Sequence, residues 1–253
     1  MKKASTPSSY IRIILAFNFS AIFLAIIWAI LQEESPIEYF EEYEIMTLLS
    51  TLQLLILAGL SKRIAYFRQK TNPQYKALNS PVNLWKIMTI GFILLAIDDL
   101  FEVHETTDRL IHWIFDIQET PLTDRIDDII VISYSIIGAY IIYCFWHEFK
   151  RYRPAFKFFI IGFILTIIMG IFDLYTNDKT LVQYFIKNLQ YQELVHDSLK
   201  VVEESLKLMA EGVFIAAFCV CLNLAQQMSQ QAKLHPESDN LKNSSQAELL
   251  QNK

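Results

Sequence analysis

The chain has 253 residues, 53% hydrophobic and 19% charged, with a formal net charge of −5 and a mean hydropathy of +0.28. Its apolar residues fall in long blocks instead of short periodic stripes, which excludes an ordinary soluble domain and indicates an all-α, six-helix polytopic membrane bundle. The acidic balance offers no surface to nucleic acid. Cys144, Cys219 and Cys221 lie near expected helix ends on the reducing side and read as small packing residues.

Residues 1–10 are expected to be disordered, and 11–226 to form one six-span domain. A spanning helix needs about 18 or more predominantly apolar residues. The first predicted span, 11–31, carries no charge after Arg12 and ends in LQEESP without a cleavage pattern, so it reads as a retained helix. The second, 45–65, has Thr47, Ser50, Thr51 and Gln53 in its apolar part. The third, 84–106, runs into Asp98; the fourth is 127–147; the fifth, 157–175, runs into Asp173; and the sixth, 203–226, contains Glu211. The third, fifth and sixth become full spans only with acids inside the membrane. Residues 227–253 are polar and aperiodic and are expected to form a disordered cytoplasmic tail.

Charge sets the expected orientation. Ser61 to Lys86 holds six Lys and Arg and no acid, and His147 to Lys157 adds four against Glu148 alone, so both segments are placed in the cytoplasm. Glu33, Glu34, Glu38, Glu41, Glu42 and Glu44 follow the first helix without a Lys or Arg, and Asp98 to Asp128 holds ten acids against Arg109 and Arg125. These are outer segments. Six spans then leave both termini cytoplasmic, with the plasma membrane as the expected location.

Counted from Lys86, a rise of about 1.5 Å per residue puts Asp98 roughly 18 Å into a core about 30 Å thick. Asp173 lies about 24 Å from Lys157, and Glu211 about 22 Å from Gln226. Helical phase groups Asp98, Glu102, Glu105, Arg109 and His112 on one side of the third helix and sends Asp99, His104 and Asp108 elsewhere. Asp124, Asp128 and Ser135 share a face of the fourth. Gly162, Thr166, Gly170, Asp173 and Asn177 form a small, polar stripe on the fifth. On the sixth, His196, Lys200, Glu203, Glu204, Lys207 and Glu211 gather, and Lys207 has i,i+4 spacing to both Glu203 and Glu211.

A charge at the centre of a spanning helix costs about 2.5–3.5 kcal/mol even on a mild scale, so acids at this depth need a proton or a cation. Asp98, Glu102, Asp173 and Glu204, with Asp128 and His104, form the expected ligand set for a divalent metal ion of the Mg, Ca, Mn or Fe kind. Asp99 is the expected base on a metal-bound water. Lys207 is expected to orient Glu204 or hold an anionic headgroup, with Glu211 and Arg109 as further ion-pair members. DDLFE at 98–102 resembles the aspartate-rich motif of intramembrane prenyltransferases without their second motif, and EESLK at 203–207 resembles the Glu-Glu motif of CAAX-type membrane proteases without their later histidines. Neither family is assigned. The inner helix halves are almost wholly apolar, which favours a site open to the outer face. Three functions stay open: a metal-dependent hydrolase of a lipid or membrane-dissolved substrate, which leads; a cation- or proton-coupled transporter; and a non-enzymatic assembly factor or sensor.

Overall fold

The computed structural model describes residues 7–40, 44–71, 80–116, 126–176 and 187–234. Among them every regular element is helical: α1 (Pro7–Gln32), α2 (Ile45–Thr71), α3 (Pro81–Phe101), α4 (Val103–Phe115), α5 (Ile126–Cys144), the single turn α6 (Trp146–Phe149), α7 (Phe156–Thr176) and α8 (Leu189–Leu234), with 3-10 turns at Pro36–Tyr39 and Lys150–Ala155. Four stretches are long and apolar enough to cross a membrane: Ile11–Gln32, Ile45–Thr71, Trp146–Asp173 and Tyr191–Ala232. The protein is therefore membrane-associated. The helices expected at 84–106 and 127–147 are outside this set. α3 holds Lys86, Asp98 and Asp99 within its 21 residues, and the apolar part of α5 is only Ile132–Cys144.

Several boundaries differ from the sequence reading, each for a local reason. α1 begins at Pro7, inside the segment expected to be disordered, with proline in the first turn, where its missing N–H leaves no bond unmade. The helix expected over 84–106 breaks at Glu102, which adopts a left-handed conformation (φ 49°, ψ 46°) and separates α3 from α4. α8 has 46 residues, about 69 Å of helix, and starts at Leu189 instead of near 203. No Gly or Pro interrupts the sequence between Leu189 and Glu211, so nothing stops the helix early. It also continues past Gln226 to Leu234, two residues before Pro236. The remainder of the expected tail, residues 235–253, lies outside the described residues.

α8 is the central post. Its most apolar window is 72% buried against 17% for α1, and it packs on α1, α2 and α7, while α3 lies along α2. Two glycines set its closest approaches. A Cβ on Gly162 of α7 would come within 2.6 Å of the Phe214 ring, and one on Gly212 would come within 2.6 Å of Asn18 Nδ2. The small residue in each case lets a neighbour's side chain meet the helix backbone. Beside Gly212, the buried Asn18 donates to the Leu208 carbonyl at 2.7 Å and exchanges hydrogen bonds with Gln53 at 3.2 and 3.3 Å. Phe17, Phe23, Ile136, Tyr140 and Ile164 face outward, as lipid-facing side chains do.

α4 is amphipathic. Leu110, Trp113, Ile114 and Phe115 are exposed along it, while His112 is buried. Such a helix suits a membrane–water boundary better than a span.

Candidate functional site

Between α2, α3, α5, α7 and α8 lies a cavity of about 770 Å³. Ile37 and Phe40, beside the Pro36–Tyr39 turn, and His104 and Glu105 of α4 complete its walls. Among the described residues, eight carboxylates line it: Asp98, Asp99, Glu102, Glu105, Asp173, Glu203, Glu204 and Glu211. The basic lining groups are Lys200, Lys207 and His104. Leu54, Leu57, Phe92, Leu95 and Phe214, each further along its helix toward the Arg68 end, make the floor apolar.

Lys207 organises the centre. Its Nζ lies 2.7 Å from Asp99 Oδ1 and 3.1 Å from Glu204 Oε2. The pairing expected from i,i+4 spacing, with Glu203 and Glu211, is not the one formed. Asp99 comes from across the helix interface and is only 10% exposed, against 23% for Glu204, so its field on the ammonium is the less screened by water. Thr51 Oγ1 donates to Asp99 Oδ2 at 3.1 Å. Glu203 accepts from Thr176 Oγ1 at 2.7 Å. Glu211 accepts from Ser50 Oγ at 2.8 Å through Oε1, while its Oε2 is buried without a hydrogen-bond partner.

The break at Glu102 shapes the outer wall. Glu102 N–H donates to the Asp98 carbonyl, ending α3, and its own carbonyl accepts the Thr106 N–H at 2.8 Å, starting α4. A non-glycine residue in the left-handed region costs roughly 1–2 kcal/mol, so the neighbours must enforce it. They do so through Asp98. Its Oδ1 accepts the His104 N–H at 2.9 Å, capping α4, and its Oδ2 lies 3.1 Å from His104 Nδ1. Helical phase had sent His104 away from Asp98; the break turns it back. Arg109 Nη2 reaches Glu102 Oε2 at 3.2 Å and Glu105 Oε2 at 3.4 Å, leaving Glu102 Oε1 buried without a partner. At the rim, Tyr39 donates to Glu34 Oε2 at 2.5 Å, and that carboxylate raises the phenol above its ordinary range. Ser35 Oγ ties the same turn to Asp197 of α8 at 3.4 Å.

The opposite end of the bundle is closed in two layers. Phe92 and Phe214, from the cavity floor, meet an aromatic cluster in which Phe92 packs on Phe218 at 5.3 Å, Phe159 on Phe218 at 5.7 Å, and Trp85 on Tyr152 at 4.9 Å. Beyond it Arg68 and Glu148, 2% and 3% exposed, form a two-pronged ion pair at 2.5 and 2.8 Å. Trp85 Nε1, Tyr152 Oη and Arg151 Nε each lie 3.3 Å from the same carboxylate. Glu148 and Arg68 entered the sequence reading only as loop charges. Their partnership joins residues 80 apart, which neither spacing nor phase reveals.

The expected metal ligands Asp98, Glu102, Asp173, Glu204 and His104 all line this cavity. The Asp128 side chain, together with Asp124 and Asn177, lies outside the described residues. Among the described residues, however, no group of three or more His, Cys, Asp or Glu side chains is arranged to hold a metal ion. Several of these carboxylates have partners within the chain: His104 lies on Asp98, Arg109 on Glu102, and Lys207 on Asp99 and Glu204. Asp99, expected as a free base, is held by Lys207 and Thr51. Ser50, Thr51 and Thr176, which bond to lining carboxylates, and Tyr134, which lines the cavity, are not foreseen as site residues; the only signal for the first two is their polarity within an apolar span.

The chain belongs to the family described as "Domain of unknown function (DUF8692)", whose model matches residues 13–222 and so takes in the whole cavity lining. No curated protein and no solved structure matches it.

Proposed function

We propose that this member of the DUF8692 family is a proton-coupled cation transporter of the plasma membrane, with six spans and both termini cytoplasmic. The acidic cavity is its outward-facing binding site. One observation carries the reading: an acid-rich cavity holds a lysine shared between Asp99 and Glu204 and is closed at one end by stacked aromatics and the Arg68–Glu148 pair. A binding chamber with one end shut matches one of the two states that alternating access visits. Orientation is read from charge, since Lys62, Arg63, Arg68, Arg151 and Arg153 lie toward the closed end, whereas Glu33, Glu34 and Glu38 flank or belong to the turn whose Ile37 lines the cavity. α3 supports a fifth crossing by packing along α2.

Coupling arises from competition for carboxylates. Lys207 alone is too little positive charge for Asp99, Glu204 and the nearby Glu211. Protons balance the excess when the cavity holds no cargo, and an arriving cation displaces them. Charge stays matched in each direction, which avoids the cost of unpaired carboxylates at membrane depth.

The test is proton flux in proteoliposomes containing a trapped pH dye, with a series of inorganic and organic cations added outside. Wild type is expected to release protons on cation addition, and Asp99→Asn to abolish the response. Wild-type vesicles giving the same trace as empty ones across the series would refute the reading. Orientation has its own check: a cysteine placed at Glu38 is expected to react with impermeant reagent from outside, and labelling from the cytoplasmic side only reverses the assignment.

A further inference from the structure

Resting on the transport reading above, we infer that the cargo is an amphiphilic organic cation, a positive head on an apolar body, and not an inorganic ion. Size comes first. A cavity of about 770 Å³ falls within the range that encloses small organic ligands, about 300–1,000 Å³, and far exceeds what a bare cation fills. A bare ion also needs several oxygens converging on one point, and among the described residues no three acids or imidazoles do so.

The lining supplies both halves of the recognition. Glu102 and Glu211 are 9% and 8% exposed, each with one carboxylate oxygen that has no hydrogen-bond partner and both lining the cavity. Their other oxygens are engaged by Arg109 and Ser50, which holds each carboxylate in place. A buried unpaired acceptor is costly, and a turn of either side chain toward the cavity would let the N–H donors of an ammonium head satisfy it. Phe214 lies three residues from Glu211 on α8, and Phe92 stands opposite on α3. A cation held at Glu211 therefore lies near aromatic rings fixed by T-shaped packing, Phe214 on Phe163 and Phe92 on Phe218, each at 5.3 Å. Leu54 and Leu57 extend this apolar floor for the body of the molecule. Net charge selects the sign: eight lining carboxylates face two lysines and one histidine, so an anionic amphiphile of equal size is repelled.

The experiment is fluorescence anisotropy of rhodamine 6G, a hydrophobic cation, with the full-length protein in lipid nanodiscs. Fluorescein is the anionic control, and calcium chloride and tetraphenylphosphonium serve as competitors. Saturable rhodamine binding is expected, displaced by tetraphenylphosphonium and not by calcium at matched ionic strength, with fluorescein unbound. Glu211→Gln and Glu102→Gln are each expected to weaken it about tenfold, the loss of one charge-assisted contact. The wild-type competition alone decides the matter if a variant fails to fold. Equal binding of fluorescein, displacement by calcium, or no saturable rhodamine binding each overturns the inference. Its failure is separable from that of the transport reading: rhodamine binding without proton flux in proteoliposomes upholds the ligand class and refutes transport, whereas flux driven by inorganic cations without rhodamine binding does the reverse.

Discussion

Replacing Lys207 by methionine keeps the apolar stem and removes the ammonium that lies 2.7 Å from Asp99 and 3.1 Å from Glu204. Both carboxylates then stand in a low-dielectric cavity without their cation. Removing one partner of a buried pair costs about 3–5 kcal/mol, and the 25% exposure of the Lys207 side chain places the expected loss near the lower bound, about 3 kcal/mol. Asp99→Asn leaves Lys207 with Glu204 and forfeits one charge-assisted hydrogen bond, about 1.5–3 kcal/mol. Because the two changes remove the same contact, the double variant is expected to cost less than the sum of the singles, by about 1–3 kcal/mol. Equilibrium unfolding of the four proteins in mixed micelles measures each difference. Costs that add within about 0.5 kcal/mol would show that Lys207 and Asp99 do not act as a pair, and the account of the cavity centre would fall with it.

At the closed end, Glu148→Gln leaves Arg68 buried without its counter-charge and is expected to destabilise the protein by about 3–5 kcal/mol in the same unfolding assay. Gly212→Ala drives a methyl group into Asn18 and Ile14 at 2.6 and 3.0 Å and should lower stability by about 1–3 kcal/mol, while Gly59→Ala, with nothing within 4 Å of the added carbon, serves as the neutral control. Asp98→Asn keeps one acceptor but loses the charge that holds both His104 groups. Hydrogen exchange is expected to rise at the first amides of α4 and to stay unchanged in α8; equal protection of α4 in variant and wild type would refute the capping role.

The candidate site was partly legible before any coordinates. Depth, a matter of counting residues along apolar blocks, singled out Asp98, Asp173, Glu204 and Glu211, and all four line the cavity. Phase was right for most of these side chains and wrong for Asp99, which it sent away from Asp98 although both line the cavity. On α8 it grouped His196, Lys200, Glu203, Glu204, Lys207 and Glu211, and the last five line the cavity together. Across the break at Glu102 phase still grouped Glu105, which lines the cavity, and Arg109, which pairs with Glu102 and Glu105, but it missed His104, which the residue at φ 49° turns toward Asp98. Ion-pair partners were the least legible. Lys207 pairs with Glu204 on its own helix, but its shorter contact is with Asp99 on α3, a less exposed carboxylate that no single-helix rule can see.

Composition and block length determined by themselves that the chain is helical and membrane-associated, since runs of apolar residues of this length have few other stable solutions. They also determined that acids lie within those runs. Which side chains pair with the acids was decided only by the tertiary structure. Charge pairing depends on distances of a few ångströms between elements far apart in sequence, and only the fold brings Lys207 to Asp99, Arg109 to Glu102 and His104 to Asp98. The same holds for the closed end. Arg68 and Glu148 are two loop charges until α2 and the α6 turn place them in contact, where burial makes their attraction strong and their separation costly.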